Sequence, residues 1–316
     1  MEEIVVTTQD ELDTALRTAL NNSIGIYEPV RIVIRSAPNL NLQVRDYSTA
    51  VVTAHGSAKV TAHGYASVIA CDNASVIARA NASVTAYDYA EVVARDSAEV
   101  VAYESAKVTA RGSAKVAAHG YARVIACDNA SVTADGYASV TARDNASVTA
   151  HESALVAAHG YAKVTADGYA RVDANNYAKV TAYNHTRVAA YDSASVAAHG
   201  YAEVTAHNNA SVTAHGSAEV ITQGSTRVIA RESASVSAHG SALVAAHGYA
   251  RVIAYDSARV IADGSTSVIA YDYARVTACD KTAVHQHSKH AAIGGGVVID
   301  HTDDDESAPT GWVLSF

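Results

Sequence analysis

The segment "AVHQHSKHAAIGGGVVIDHTDDDES" holds the densest set of potential ligand side chains in the chain: His285, His287, His290 and His301, followed by Asp303, Asp304 and Asp305. Imidazole nitrogens and carboxylate oxygens bind metals, and His-x-His puts two rings on one side of a strand. The spacing matches no metal signature, however, and the acidic run reads equally as a solvated loop. No metal and no cofactor is assigned to it. Ten of the fifteen histidines, from His55 to His247, occupy one position of a repeat described below. Imidazole titrates near neutrality. Protonating all fifteen would move the formal charge from −9 toward +6, so acid-sensitive solubility or assembly is expected.

Other reactive side chains are sparser. Asp88, Asp96 and Glu104 lie near Arg79, Arg95 and Arg111. No long loop accompanies them to form a cleft, so they read as solvated charge at corners. Asp173 is an isolated departure at an outward position and not a site. There is no nucleophile–base pair with recognisable spacing and no glycine loop suited to a phosphate, and "IGGGVV" near residue 295 is a turn signal. No catalytic, cofactor-binding or metal-binding residue is therefore named, and the chain is not expected to be an enzyme.

These residues are positioned by a repeat. Val recurs every eight residues from Val52 to Val284, through thirty octads without insertion or deletion. With Val third, the first position is Ala except at Thr186, Thr226, Thr266 and Thr282, and the fifth is Ala except at Thr222 and Gln286. Alternation of this kind is a strand signal, with positions one, three and five on one face. Helix is the competitor, but an eight-residue repeat cannot keep one face of a 3.6-residue helix aligned. Position four is mostly Thr, Ile or Val, which suit strands. Position seven is Gly, Asp or Asn in twenty-five of twenty-nine corners, and these residues tolerate a left-handed backbone.

The fold expected is all-β: a single-stack parallel β-solenoid, or β-helix, with like positions in ladders. Two octads per coil (16 residues) or three (24) are possible. Volume favours two, because Ala and Val are too small to fill a broad triangle. About fifteen coils at ~4.8 Å each would make a rod about 70 Å long. Domain boundaries follow: residues 1–49 form an N-terminal cap with one helix, 50–284 the thirty-octad solenoid, and 285–316 a C-terminal cap and tail. In the first cap, Thr8 and Glu11 make a capping box. Leu12, Ala15, Leu16, Ala19 and Leu20 form an apolar stripe, and the strand "VRIVIRS" follows. In the last, Trp312 and Phe316 are the only Trp and Phe, and either plug the final coil or dock a partner.

Composition agrees with a thin core. Apolar residues make up 49% of the 316, yet nearly all are Ala and Val. Residues 50–282 carry twenty acids and eighteen bases, so the long middle is almost neutral. No basic stripe stands out from its acidic neighbours, and nucleic acid is not expected as a partner. No apolar run is long enough for a membrane span. The start, "MEEIVVTTQDEL", lacks the shape of a signal peptide, and Cys71, Cys127 and Cys279 do not resemble a disulfide framework. Cytoplasmic synthesis is expected, with a place in a phage particle as one setting.

Three resemblances follow from these motifs. The strand-helix-strand opening resembles the N-terminal caps of right-handed β-helix proteins of the pectin-lyase type, over roughly forty residues. The octads "TAHGYASV" and "TAHGSAEV" resemble the repeat of bacterial ice-nucleation proteins, whose half-repeats of eight pair into coils of sixteen. That resemblance implies a Thr-x-Thr face. Position four offers Thr in twelve octads, but position two holds Lys or Arg in twelve and Glu in four. Ser-x-Thr occurs at Ser83/Thr85, Ser131/Thr133, Ser139/Thr141, Ser147/Thr149 and Ser211/Thr213. More broadly, the "SA-V-A-G/D" rhythm with a short cap is similar to octapeptide-repeat β-solenoid proteins of bacteria and phages with no assigned role, which implies the fold alone.

The function expected is a non-catalytic structural or interaction rod presenting a repetitive surface, with Tyr-rich corners, to an unknown protein or glycan partner. Self-association through the C-terminal cap is a further expectation. The alternatives are an ice-binding protein of the ice-nucleation kind, or a carbohydrate-binding or carbohydrate-active β-helix.

Overall fold

A computed structural model describes residues 3–22, 31–35, 40–45, 50–279 and 281–302. It is a parallel β-solenoid with a coil of sixteen residues. Each octad supplies one strand over its positions two to five, and each strand pairs with the strand sixteen residues away. Val132 thus faces Val148, and Val148 faces Val164. Alternate octads belong to alternate sheets, so two parallel sheets stand face to face around one seam of small side chains. Val148 is 1% exposed, and Ala146 and Ala150 are fully buried. Burying a Val contributes roughly 1.5–3 kcal/mol, while fixing each residue's backbone costs ~1–2 kcal/mol. Stability therefore depends on neighbouring coils packing together.

The described residues form two compact units, one ending at Val172 and the other beginning at Asp173. In the first, β1 (Glu3–Val6), α1 (Gln9–Asn22), β2 (Arg31–Ile34) and β3 (Asn41–Arg45) precede the octads. β1 pairs with β2, β2 with β4 (Val51–Ala54), and β3 with β5 (Lys59–His63). The first sheet thus begins at β1 and the second at β3, so both stacks start before residue 50. The capping box forms as the sequence predicts: the Glu11 amide donates to Thr8 Oγ1 at 3.3 Å, and the Thr8 amide donates to Glu11 Oε2 at 3.2 Å. The Thr7 amide also donates to Glu11 Oε2, and chiefly for that reason the Glu11 carboxyl lies below its ordinary range. Leu12, Ala15, Leu16 and Ala19 are buried over β1–β3. Leu20, expected in that stripe, is 46% exposed instead.

In the second unit, one sheet contains Lys179–Ala182 paired with Ser195–Ala198, and the other contains Arg187–Ala190 paired with Glu203–Asn208. Its last coil breaks the period. Arg275 pairs with Ala292, while Ala283 pairs with Val297. The glycine run between these last strands does more than turn. Gly295 and Gly296 have φ of 78° and 77°, and a Cβ on Gly296 would sit 2.8 Å from Ala278 Cβ and 2.9 Å from the Thr282 carbonyl oxygen. Only glycine fits so close to Ala278 and Thr282, while Val298, the inward residue of the last strand, is 47% exposed. Trp312 and Phe316 lie outside the described residues.

Candidate functional site

The corners hold most of the chemistry, and their hydrogen bonding explains which residues stand there. At most corners the amide of position one donates to the carbonyl of position six, as Ala74 does to Cys71 at 3.1 Å. The amides of positions six and eight donate to the preceding coil, as Tyr87 does to Ala70 and Tyr89 to Asp72. The position-seven amide, in left-handed backbone, points the other way. It shares a peptide unit with the position-six carbonyl, so its acceptor has to come from elsewhere. Where the next coil carries Asp or Glu at position seven, that carboxylate supplies it.

Gly56 donates to Asp72 Oδ2 at 2.9 Å, Asp72 to Asp88 at 3.0 Å, and Asp88 to Glu104 Oε2 at 3.0 Å. The same contact recurs in the second unit, from Gly240 to Asp256 and from Asp256 to Asp272. The Gly56 amide is the main reason that the Asp72 carboxyl lies below its ordinary range, with His55 adding to it. The acids expected to be simple solvated charge are thus backbone acceptors. This also explains why Glu104, Glu152 and Glu232, which gain nothing from a left-handed backbone, occur at position seven with φ of 55–56°.

Position six forms ring ladders. Tyr87 stacks on Tyr103 and Tyr103 on His119, both at 5.2 Å. His199 stacks on His215 at 5.1 Å, the pairing that a sixteen-residue coil predicts. The longest ladder runs His239, Tyr255, Tyr271, His287 and His301, with ring separations of 4.5–5.1 Å. Burial within it pushes the Tyr255 and Tyr271 hydroxyls above their ordinary range. His119 lies 3.2 Å from Asp135, and His247 lies 2.9 Å from Asp263.

The tail histidines are partly gathered. His285 Nδ1 and His301 Nε2 are 3.2 Å apart, and His287 stacks on His301. His290 stacks on Tyr273 instead. The rings of His287 and His301 lie parallel rather than converging on a point, and no group of three potential ligands among the described residues is placed to hold a metal. Asp303, Asp304 and Asp305 lie outside the described residues. Cys71, Cys127 and Cys279 are free thiols, and burial raises that of Cys71.

No known protein family, curated protein or solved structure matches this chain. Function therefore has to be read from the surface. The depressions on it are open, such as that lined by Arg231, Glu232, His247 and Tyr249. The coil distributes the Ser-x-Thr pairs unevenly. Ser131/Thr133 and Ser147/Thr149 are in register on one sheet, but Ser139/Thr141 falls on the other. Within the first unit the coil also sorts charge: basic residues gather on the outer face of the second sheet. Reading octads one after another hides this, because successive octads face opposite ways. No helix is long and apolar enough to cross a membrane.

Proposed function

We propose that this chain is a non-catalytic structural or interaction protein that offers the same shallow surface coil after coil to a partner. One observation carries the reading: along the octads of each unit outward positions fall in register from coil to coil, as in Ser131↔Ser147 and Thr133↔Thr149, so a contact made by one coil can recur on a neighbouring one. The corner carboxylates support it, since they are engaged with backbone amides rather than paired for acid–base work. A repetitive ligand, a glycan or an extended protein, would gain affinity by engaging several coils together.

Deleting whole coils tests this. Removing residues 138–153 keeps the register, and glycan-array or partner binding is expected to weaken stepwise with each coil lost. Complete loss with one coil, or release of new reducing ends from a bound glycan, would overturn the reading. An ice-binding role is the alternative, favoured by the two stacked Ser-x-Thr pairs. Droplet freezing at the buffer temperature would dismiss it. Self-association through residues 285–316 is a further route, because Val297, Val298 and Ile299 are exposed on the last strand. Deletion of residues 307–316 with no change in oligomeric mass counts against it.

A further inference from the structure

Within the first unit, the outer face of the second sheet carries two columns of positive charge. Position six supplies Arg79, Arg95, Arg111 and Arg143, interrupted by Cys127, and the amide of each donates to the coil before it. Position two supplies Lys59, Lys107 and Arg123 in the register Lys59↔Ser75↔Glu91↔Lys107↔Arg123. All seven cations are exposed. Glu91 is the only acid in these columns across the same coils, and it pairs with Lys107 at 3.0 Å. The acids next to the arginine column, Asp96, Asp128 and Asp144, turn into the corner to accept from the Ala80, Gly112 and Asp128 amides. None of the four arginines makes an ion pair among the described residues. The first sheet, over matching coils, sets Lys115 against Glu99 and Asp135, and further along sets Lys163 against Asp167.

Strand geometry fixes the spacing. Cations within a column repeat at ~4.8 Å per coil, and the two columns, four residues apart, are separated by about 13 Å. Between them lies a strip of short, uncharged side chains: Ile77, Val93, Thr109, Ile125 and Thr141. We propose that this face binds double-stranded nucleic acid through its phosphates, one column on each backbone strand. The inference rests on the reading of the chain as an interaction protein and names its partner.

The column separation is close to the width of the duplex major groove, about 12 Å, which two backbone strands flank. Guanidinium groups suit phosphate oxygens because they can donate two parallel hydrogen bonds. The strip between the columns offers no long polar side chain to reach base edges, so binding is independent of sequence. No Tyr, Phe or Trp stands in the two columns or in the strip between them, so the strip offers no stacking platform to a single strand; the exposed Tyr89, Tyr121 and Tyr137 stand at the corner beyond the position-two column. A linear acidic glycan would engage one column and leave the other idle. The near-neutral charge of residues 50–282, which argues against nucleic acid when the octads are taken in order, averages over two faces that the coil separates.

The test uses the full chain and a short labelled duplex, followed by fluorescence anisotropy across a salt series. Binding is expected at low salt, equal for scrambled sequences, with log K falling linearly against log salt. Each phosphate contact contributes about 0.9 to that slope. The double variant R95Q/R111Q is expected to reduce the slope by about two and weaken low-salt binding by about tenfold or more. The control K115Q/K163Q, on the other sheet, is expected to change neither, and circular dichroism confirms that both variants are folded. An unbound duplex at low salt, or an undiminished slope in R95Q/R111Q, overturns the proposal. So does binding of a polyuronate or of anionic vesicles in place of the duplex. Those results leave the broader reading standing, since the coil-deletion series tests it without nucleic acid.

Discussion

Removing the Asp72 carboxylate tests whether the corner acids hold the stack together. Asp72 accepts from the Gly56 amide at 2.9 Å while its own amide donates to Asp88, and its φ is 58°. A hydrogen bond to a charged group contributes roughly 1.5–3 kcal/mol, and the Asp72 side chain is 53% exposed, so about 1 kcal/mol is the discounted value. Asp72→Ala loses that acceptor and adds up to about 1 kcal/mol for placing Ala in left-handed backbone, or about 1–2 kcal/mol in all. Asp72→Gly loses the acceptor but relieves the backbone, and is expected within about 0.5 kcal/mol of the parent. Asp72→Asn keeps a neutral acceptor and falls between them. Hydrogen exchange at the Gly56 amide reads the effect directly, with about tenfold faster exchange for 1.4 kcal/mol. The pH dependence has a definite sign. The folded pKa of Asp72 is depressed below 3.8, so its contribution is complete above the unfolded value and is lost as pH falls through the folded one. The Asp72→Ala difference should therefore be full at pH 7 and shrink below about pH 4 to its pH-independent backbone part. Equal stability of Asp72→Ala and the parent at pH 7, or a difference of the same size in acid, would refute the carboxylate–amide ladder.

Other expectations follow from the same coils. Thr226 is fully buried with its hydroxyl lacking a hydrogen-bond partner, so Thr226→Val should stabilise the second unit by about 1 kcal/mol in urea melts, and a loss would show the hydroxyl to be satisfied. A Cβ at Gly240 would lie 2.9 Å from the Gly224 amide nitrogen, so Gly240→Ala should cost about 2 kcal/mol or more, whereas Ala80 stands at the same octad position elsewhere; an unchanged melting temperature would contradict this. Protonating the fifteen histidines moves the formal charge from −9 toward +6, so sedimentation should differ between pH 7.5 and 5.5, and identical sedimentation would count against charge-dependent assembly.

Much of the fold is legible in the sequence because the seam is local. Val with Ala two places to either side alternates within one strand, and Thr8 and Glu11 are three residues apart, so periodicity alone identifies the strands and the capping box. The corner chemistry is not legible in that way. The partner of Asp72 is the amide of Gly56, sixteen residues back, and becomes visible only once the coil length is set. Leu20 continues the i+4 spacing of Leu12 and Leu16 but is exposed, because each step of four residues turns about 40° past a full turn and carries it off the buried stripe. Gly295 and Gly296 read as a turn in sequence, whereas their backbone also lies against Ala278 and Thr282, an approach that a Cβ would block.

The core and the surface obey different periods, and this separates folding from recognition. Core positions recur every eight residues, so both sheets see the same Ala-x-Val-x-Ala and the seam does not distinguish them. Outward residues recur on one face only every sixteen, which is how Arg79, Arg95, Arg111 and Arg143 come to share a column. Duplicating one octad, residues 98–105, therefore preserves the seam while moving Arg111 and Arg143 to the opposite sheet from Arg79 and Arg95. Duplicating two octads, residues 98–113, leaves all four on one face. Both insertions should remain folded, because each added octad contributes the same Val and Ala burial. Duplex affinity should fall only in the single-octad insertion. If that insertion unfolds the chain, the two sheets are not interchangeable supports and the seam carries face-specific information. If it folds and still binds with the parent salt slope, the paired columns are not the binding surface.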